Sequence, residues 1–324
     1  MNVNVNASIV VMDGDSGRVL YEKNMSERKL IASTTKIMTA LVALENAKLS
    51  DVYSVGKEIK EVNGSMIYVK EGEKFSLNDL LHGLMLQSGN DAAMIIANNV
   101  MNYDNFIAQM NIKAYKLGMY NTYFENPHGL NDDTKNMSTA YDMAKLMLYA
   151  INNSDFIKIT QTKTYKVGKY IWNNKNKLLF DYKYLISGKI GYTKASGQVF
   201  VSSAIKDNKK LVIVSIDEPD KFNLHKKLYE DNFNKYKRYK VLNKNVFAYK
   251  LNVNSNDYYY LKRDYYMLLK NDDFSKIKIK VNINNYSNYL NVLFNDTIIH
   301  SEKIYKKSYI ERKNDLKDLL LFWK

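Results

Sequence analysis

The chain contains no cysteine and only two prolines, Pro127 and Pro219. Without cysteine there is no disulfide, no zinc–thiolate site and no cysteine nucleophile. With so little proline there is no Pro-rich linker between domains. The four histidines, His82, His128, His225 and His300, lie far apart, and no pair has the spacing of metal ligands. A zinc hydrolase is therefore not expected, and neither a metal nor a cofactor is called for. No run of 18 apolar residues occurs, so no transmembrane helix is expected. The opening residues, MNVNVNASIVVMDG, lack a basic segment followed by an apolar one, so no signal peptide is legible there.

What is present is a chain of 324 residues, long enough for two domains, with 46% hydrophobic residues to build a sizeable core. The formal net charge is +14, and it is uneven. Residues 234–324 hold 19 Lys and Arg against 9 Asp and Glu, a net of +10, which leaves +4 for the first 233. A basic C-terminal part fits a polyanionic partner or simply a solvated basic surface.

Hydrophobic periodicity divides the chain. Residues 7–12 read as a buried strand and 18–21 as its partner, joined by a DGDSG turn. Helices are predicted at about 34–46, 77–86, 90–101, 104–117 and 138–151. Their candidate caps are Ser76 or Asn78 for the second and Ser138 or Thr139 for the last. Strands follow at about 163–167, 185–193, 198–205 and 210–216, the last two forming a hairpin around KDNK, and a helix at 221–234 closes this part. The order suggests an α+β domain with helices packed on an antiparallel sheet. After about Tyr236 short alternating runs such as VFAYKLNV and KIKIKVNI suggest a small all-β module. The last residues, with Leu316, Leu319, Leu320 and Trp323 at helical spacing beside Lys313, Lys317 and Lys324, suggest a short amphipathic helix. The expected organisation is a domain over 1–234, a β-rich domain over 235–310 and a terminal helix over 311–324.

Three short elements carry chemistry. Ser33-Thr34-Thr35-Lys36 opens the first helix, Ser88-Gly89-Asn90 opens another, and Lys189-Ile190-Gly191, followed by Tyr192-Thr193, lies on a strand. Residues three apart on a helix share a face, which sets Lys36 one turn from the Ser33 hydroxyl. Free N–H groups at a helix start can hold an oxyanion. Serine needs a base, and a desolvated lysine near a second cation such as Lys189 can serve as one. Each motif alone is common by chance. Together, in this order, they match the set S-x-x-K, S-x-N, K-T-G with one substitution.

The segments MDGDSGRVLYEKN, IASTTKIMTALVALE, LNDLLHGLMLQSGNDAA, KLGMYNTYFENPHGL and STAYDMAKLM resemble the D-alanyl-D-alanine carboxypeptidases, the low-molecular-mass penicillin-binding proteins. They cover most of residues 7–233, and 235–310 is similar to that family's β-rich C-terminal domain. The resemblance implies a DD-peptidase/serine β-lactamase-like catalytic domain and removal of the terminal D-alanine of peptidoglycan stem peptides through an acyl-enzyme. It makes Ser33 the acylated nucleophile, Lys36 its base, and Ser88 and Asn90 the second-motif residues. Lys189 becomes the third-motif lysine, and the N–H groups of Ser33 and Tyr192 the oxyanion hole. Gly191, Tyr192, Thr193 and Lys221 fall among the substrate-binding positions. The implied partners are peptides ending in D-Ala-D-Ala and β-lactams, with peripheral membrane contact through residues 311–324 and no nucleic acid. The implied location is outside the cytoplasm, at the outer face of the membrane or in the wall, with the signal peptide absent from this chain.

Two departures stand out. Ile190 replaces the family threonine whose hydroxyl helps hold the substrate carboxylate, and Lys221 stands where the family usually has arginine, keeping the charge but losing bidentate geometry. Thr193 is on the strand face of Gly191, which makes it an awkward substitute. These departures leave open a catalytically weakened penicillin-binding or wall-binding scaffold; further off is a serine β-lactamase, which shares the motifs but whose deacylating E-x-x-L-N loop has no counterpart between Ser88 and Lys189. His128 in ENPHGL is expected to hold a loop near the site, Asp91 to cap a helix, and Ser138, Thr139 and Asp142 to act as caps. Tyr258, Tyr259 and Tyr260 with Lys262 and Arg263 are expected to serve packing within the β-module.

Overall fold

A computed structural model of the chain describes residues 3–130, 135–244, 248–249, 257–283 and 288–308. They form two compact units, one of Met1–Gly14 and Val19–Phe233 and one of Asp15–Arg18 and Asn234–Lys324.

The first unit is built on a five-stranded sheet. Its strands are β1 (Ser8–Asp13), β2 (Val19–Lys23), β3 (Leu185–Thr193), β4 (Gly197–Lys206) and β5 (Lys209–Ile216), in the order β2-β1-β5-β4-β3. Every pair is antiparallel. β1 is buried along its whole length, because helices cover both faces. Val10, Met12, Val199, Val201, Val212 and Val214 point to the main core, while Ile9 packs with Leu224 on the other side. The β4–β5 hairpin turns on Asp207 and Asn208, both at positive φ, the pair of left-handed residues that a tight two-residue hairpin needs. β3 lies at the sheet edge.

The longer helices between β2 and β3 are α1 (Lys36–Asn46), α2 (Leu77–His82), α3 (Asn90–Val100), α4 (Tyr103–Lys116), α5 (Ala140–Ala150) and α6 (Ser154–Gln161), with a single helical turn at Leu178–Asp181; α7 (Lys221–Lys235) follows β5. Their starts are chemically marked. Ser76 and Asp79 make a reciprocal capping box at α2, and Thr139 accepts the Asp142 N–H at α5. The helix expected over 77–86 is not uniform: after His82 the chain widens into a π-helical segment, Gly83–Gln87. Apolar periodicity does not distinguish the two windings, since the core faces Leu80, Leu81, Leu84 and Leu86 equally. The strand expected at 163–167 is Thr164–Val167, paired with Tyr170–Asn173, a partner the sequence reading omitted. α6 was also missed; its eight residues are too short to show a clear period.

The second unit has its own core of Leu242, Leu261, Met267, Leu269, Leu290, Val292 and Ile304. Its strands pair antiparallel, with Ile277–Ile283, Asn288–Phe294 and Thr297–Lys303 forming one three-stranded sheet. Tyr259 is packed in that core. The helix expected over 311–324 lies outside the described residues.

Candidate active site

The chain enters α1 through a tight turn, Ala32–Thr35, in 3₁₀ geometry. Thr34 closes it by donating from both its N–H (3.2 Å) and its hydroxyl (2.6 Å) to the Ile31 carbonyl. Ala32 sits at φ 45°, a costly conformation for a residue with a Cβ. The result is a half-buried Ser33 at the lip of the turn, above a wholly buried Lys36.

Lys36 Nζ lies 2.9 Å from Ser33 Oγ, 2.7 Å from Asn90 Oδ1 and 2.7 Å from the His128 carbonyl oxygen. The Asn90 amide is oriented by its own Nδ2, which donates to the Asn63 carbonyl at 2.6 Å. Two of the three partners are therefore obligate acceptors. A neutral amine has two hydrogens and one lone pair. With both hydrogens committed to Asn90 and His128, the lone pair faces the Ser33 hydroxyl, which is the arrangement a general base requires. Burial, then the Lys189 ammonium, push the Lys36 pKa well below the usual lysine range, against the opposing pull of Asp91.

Lys189 projects from edge strand β3 and donates to Ser88 Oγ and to the Ile190 carbonyl, each at 2.9 Å. Burial, with help from Lys175, lowers its pKa to about 7. Ser88 ends the π-helical segment in a left-handed conformation, φ 65°, and this kink sets its hydroxyl beside Lys189. Gly191 has a steric role. A Cβ there would stand 2.9 Å from the Ser33 nitrogen and 3.2 Å from the Thr34 nitrogen, so glycine allows β3 to lie flat against the turn. Gly129, at φ 91°, does the same from the other side, where a Cβ would stand 1.9 Å from the Ala32 carbonyl oxygen.

Ser33, Lys36, Ser88, Asn90 and Lys189 are thus joined by two short hydrogen-bonded chains, with Gly191 against the turn. The remaining three expected residues lie at the far end of β3. Tyr192 is exposed and pairs with Gln198. Gln198 in turn accepts from the Lys221 ammonium at 2.7 Å. Lys221 is mostly buried, and burial, then Lys177, lowers its pKa. The Thr193 hydroxyl bonds Ser196 Oγ and accepts the Ser196 N–H, both at 3.0 Å. It closes the β3–β4 turn and is not free to stand in for a hydroxyl at position 190. Ile190 pairs with Phe200, whose ring meets Phe222 and His225.

His128 contributes its backbone. Its buried ring is held neutral, with a pKa pushed down to about 3 by burial and by Lys36, and its Nδ1 accepts the Leu130 N–H. Asp91 does more than the helix cap expected of it. Its carboxylate accepts the N–H groups of Ile67, Tyr68 and Ala92, so it also ties the 65–68 loop to α3. Sequence reading missed Lys175, which raises the positive potential around Lys36 and Lys189. It gave no sign because a single lysine in an Asn-Lys-rich stretch resembles any surface residue.

The family model described as D-alanyl-D-alanine carboxypeptidase (Peptidase_S11) matches residues 3–220. A D-alanyl-D-alanine carboxypeptidase of Bacillus subtilis, DacF, is 34% identical over 218 residues, 64% of this chain and 56% of that protein. The chain thus spans just over half the length of that relative. The solved D-alanyl-D-alanine carboxypeptidase of Mycobacterium tuberculosis is 31% identical with a TM-score of 0.67, covering 70% of this chain and 90% of its own. Penicillin-binding protein 5 of Haemophilus influenzae superposes with a TM-score of 0.78 over 93% of this chain and 96% of its own; at 24% identity that likeness speaks for the fold alone. With the family model covering most of the first unit, the chain belongs to the D-alanyl-D-alanine carboxypeptidase family.

Proposed function

We propose that the protein is a serine-type D-Ala-D-Ala carboxypeptidase that acts on peptidoglycan stem peptides and is acylated by β-lactams at Ser33. The observation that carries this reading is the donor set of Lys36, which leaves one direction free, toward Ser33 Oγ. In the first half-reaction Ser33 Oγ attacks the carbonyl of the penultimate D-alanine and its proton passes to Lys36. The tetrahedral oxyanion is held by the N–H groups of Ser33 and Tyr192. The C–N bond breaks, and the leaving D-alanine takes a proton relayed through Lys36 and Ser88. Water then adds to the ester and releases the shortened peptide with Ser33 restored. A β-lactam follows the same first step, with its ring amide as the bond broken. Lys189, Gly191, Tyr192 and Thr193 of β3, with Lys221 at the start of α7, form the surface along which the substrate lies. The cations Lys189, Lys175 and Lys221 supply the field for its terminal carboxylate.

The modified third motif bears on rate. Ile190 offers no hydrogen bond, and the Thr193 hydroxyl is engaged in its turn. Restoring one charge-assisted hydrogen bond is worth roughly 1.5–3 kcal/mol. Ile190→Thr is therefore expected to raise carboxypeptidase kcat/KM by roughly tenfold to a hundredfold. An unchanged value would remove carboxylate contact as the meaning of this position.

A second reading, a wall-binding scaffold that acylates but turns over slowly, draws support from Ile190 and Lys221 together. Release of D-alanine from a pentapeptide by the wild-type chain separates the two. A β-lactamase is disfavoured because Glu125 is the only glutamate between Ser88 and Lys189, and it is exposed with its carboxylate on the Lys135 N–H. The substrate places the enzyme outside the cytoplasm, at the membrane surface or in the wall. Residues 311–324 are its proposed membrane contact. Their deletion is expected to abolish sedimentation with anionic liposomes, and undiminished binding would exclude them as the anchor.

A further inference from the structure

The Lys36 arrangement depends on a carbonyl from a distant loop, that of His128. A carbonyl is useful as an acceptor only if its loop cannot move away. The 125–130 loop is fastened to α1 and to the Ser33 turn by two side chains that are not among the hydrogen-bond partners of Lys36. Thr39 Oγ1 donates to the Pro127 carbonyl at 2.6 Å. Asn136, 2% exposed, is the more connected of the two. Its Nδ2 donates to Thr35 Oγ1 and to the Asn126 carbonyl, both at 2.9 Å. Its Oδ1 accepts the N–H groups of Glu125 (2.8 Å) and Asn126 (3.2 Å). Its backbone carbonyl accepts the N–H of Ile31, at the entrance to the Ser33 turn. Asn126 then folds the loop onward, its Oδ1 accepting from the His128 and Gly129 N–H groups at 3.2 and 2.6 Å. One buried asparagine, through its side-chain amide and its backbone carbonyl, thus bridges both ends of the Ser33–Lys36 turn and the loop that supplies the third partner of Lys36.

We infer that Asn136, seconded by Thr39, is a positioning residue for the base: it fixes the His128 carbonyl against Lys36 and keeps the amine dry and aimed at Ser33. This rests on the reading of Lys36 as the base. The charged groups facing Lys36 are Lys189 from β3, Lys175 from the segment before Leu178 and Asp91 from α3, with the neutral His128 ring on the loop itself. Loosening the loop leaves those charges in place and changes two things. It removes an acceptor that the ammonium form also uses, which favours the neutral amine. It admits water, which favours the ammonium. Burial is the largest influence on Lys36, so rehydration dominates and the ammonium becomes harder to deprotonate.

The test is the second-order rate of labelling by a fluorescent penicillin, measured from acid to alkaline pH on the full chain. In Asn136→Ala the acid limb of the profile is expected to move up by about one pH unit, with about a tenfold loss of rate at the acid end that alkaline pH largely recovers. Thr39→Val, nearly isosteric, should move the limb the same way by a smaller amount. Phe106→Leu, a buried change on α4, serves as the stability control and should lower Tm with the limb in place. A merely structural role for Asn136 would likewise lower Tm without moving the limb. An unmoved limb in a folded Asn136→Ala overturns the inference; should that variant fail to fold, an unmoved limb in Thr39→Val does so instead. Failure of the underlying reading looks different, since Lys36→Met would then label as fast as the wild-type chain.

Discussion

Replacing Lys36 with methionine is expected to slow acylation of Ser33 by about 10²–10⁴-fold, the range of a positioned general base. Methionine fills much of the same volume but cannot accept a proton. The substitution also leaves the Asn90 Oδ1 and the His128 carbonyl without the donor they share. Each unsatisfied buried acceptor costs about 1–3 kcal/mol, whereas removal of a buried amine that resists charging offsets part of that. The variant should therefore fold, with a Tm within several degrees of the parent, while labelling by penicillin is nearly lost. The pH dependence of the parent carries the same information. Its acylation rate should rise with pH as Lys36 loses its proton, and reach its plateau far below the ordinary lysine range, because burial and Lys189 both disfavour the ammonium. A plateau reached only near pH ~10 would mean an unperturbed lysine. Equal labelling rates in the parent and in Lys36→Met would assign the base elsewhere.

The second large effect is expected from a residue with no side chain. Gly129→Ala adds one methyl group, at φ 91° and 1.9 Å from the Ala32 carbonyl oxygen. The left-handed conformation alone costs about 1–2 kcal/mol for an L-residue. The overlap is with backbone, which cannot rotate away, so either the 125–130 loop or the Ser33 turn must shift. A total above about 3 kcal/mol is expected, a fall in Tm of about 6–12 °C for a unit of this size. Acylation should fall further than stability, because any shift that relieves the clash separates the His128 carbonyl from Lys36 or rotates Ser33. Thermal melts and penicillin labelling on the same preparation test both parts. Gly129→Ala with parental Tm and parental labelling would show that the loop and the turn are not packed as described. Gly72→Ala is a useful comparison: it also sits at positive φ, but no atom lies within 4 Å of the position its Cβ would take, so only the conformational cost should appear.

The two cases show what the sequence can disclose. Ser33 and Lys36 are three residues apart, and helix geometry alone joins them. The hairpin of β4 and β5, the Ser76 cap and the apolar run Ile9–Met12 of β1 are equally local, written in residues that lie close together in the chain. The winding of 83–87 was not legible, since the apolar pattern of Leu84 and Leu86 serves either helix type. The supporting residues were not legible either, for a different reason. Asn136 and Thr35 are 101 positions apart, and Thr39 and Pro127 are 88 apart. Asn is abundant in this chain, so Asn136 does not stand out, and nothing about Thr39 on its own names a partner 88 positions away. Gly129 could be read as a turn glycine in ENPHGL, but its neighbour across the contact, Ala32, is supplied by the fold. Motif reasoning finds the groups that react; it does not find the groups that hold a backbone carbonyl in place.

Acylation of Ser33 precedes turnover, and every later step depends on it. The most direct measurement is intact-protein mass after incubation with benzylpenicillin, for the wild-type chain and for Ser33→Ala. The account predicts a single added penicilloyl group on the wild-type chain, located by peptide mapping to Ser33, and none on Ser33→Ala. An unmodified wild-type chain, or an adduct that persists in Ser33→Ala, would contradict it.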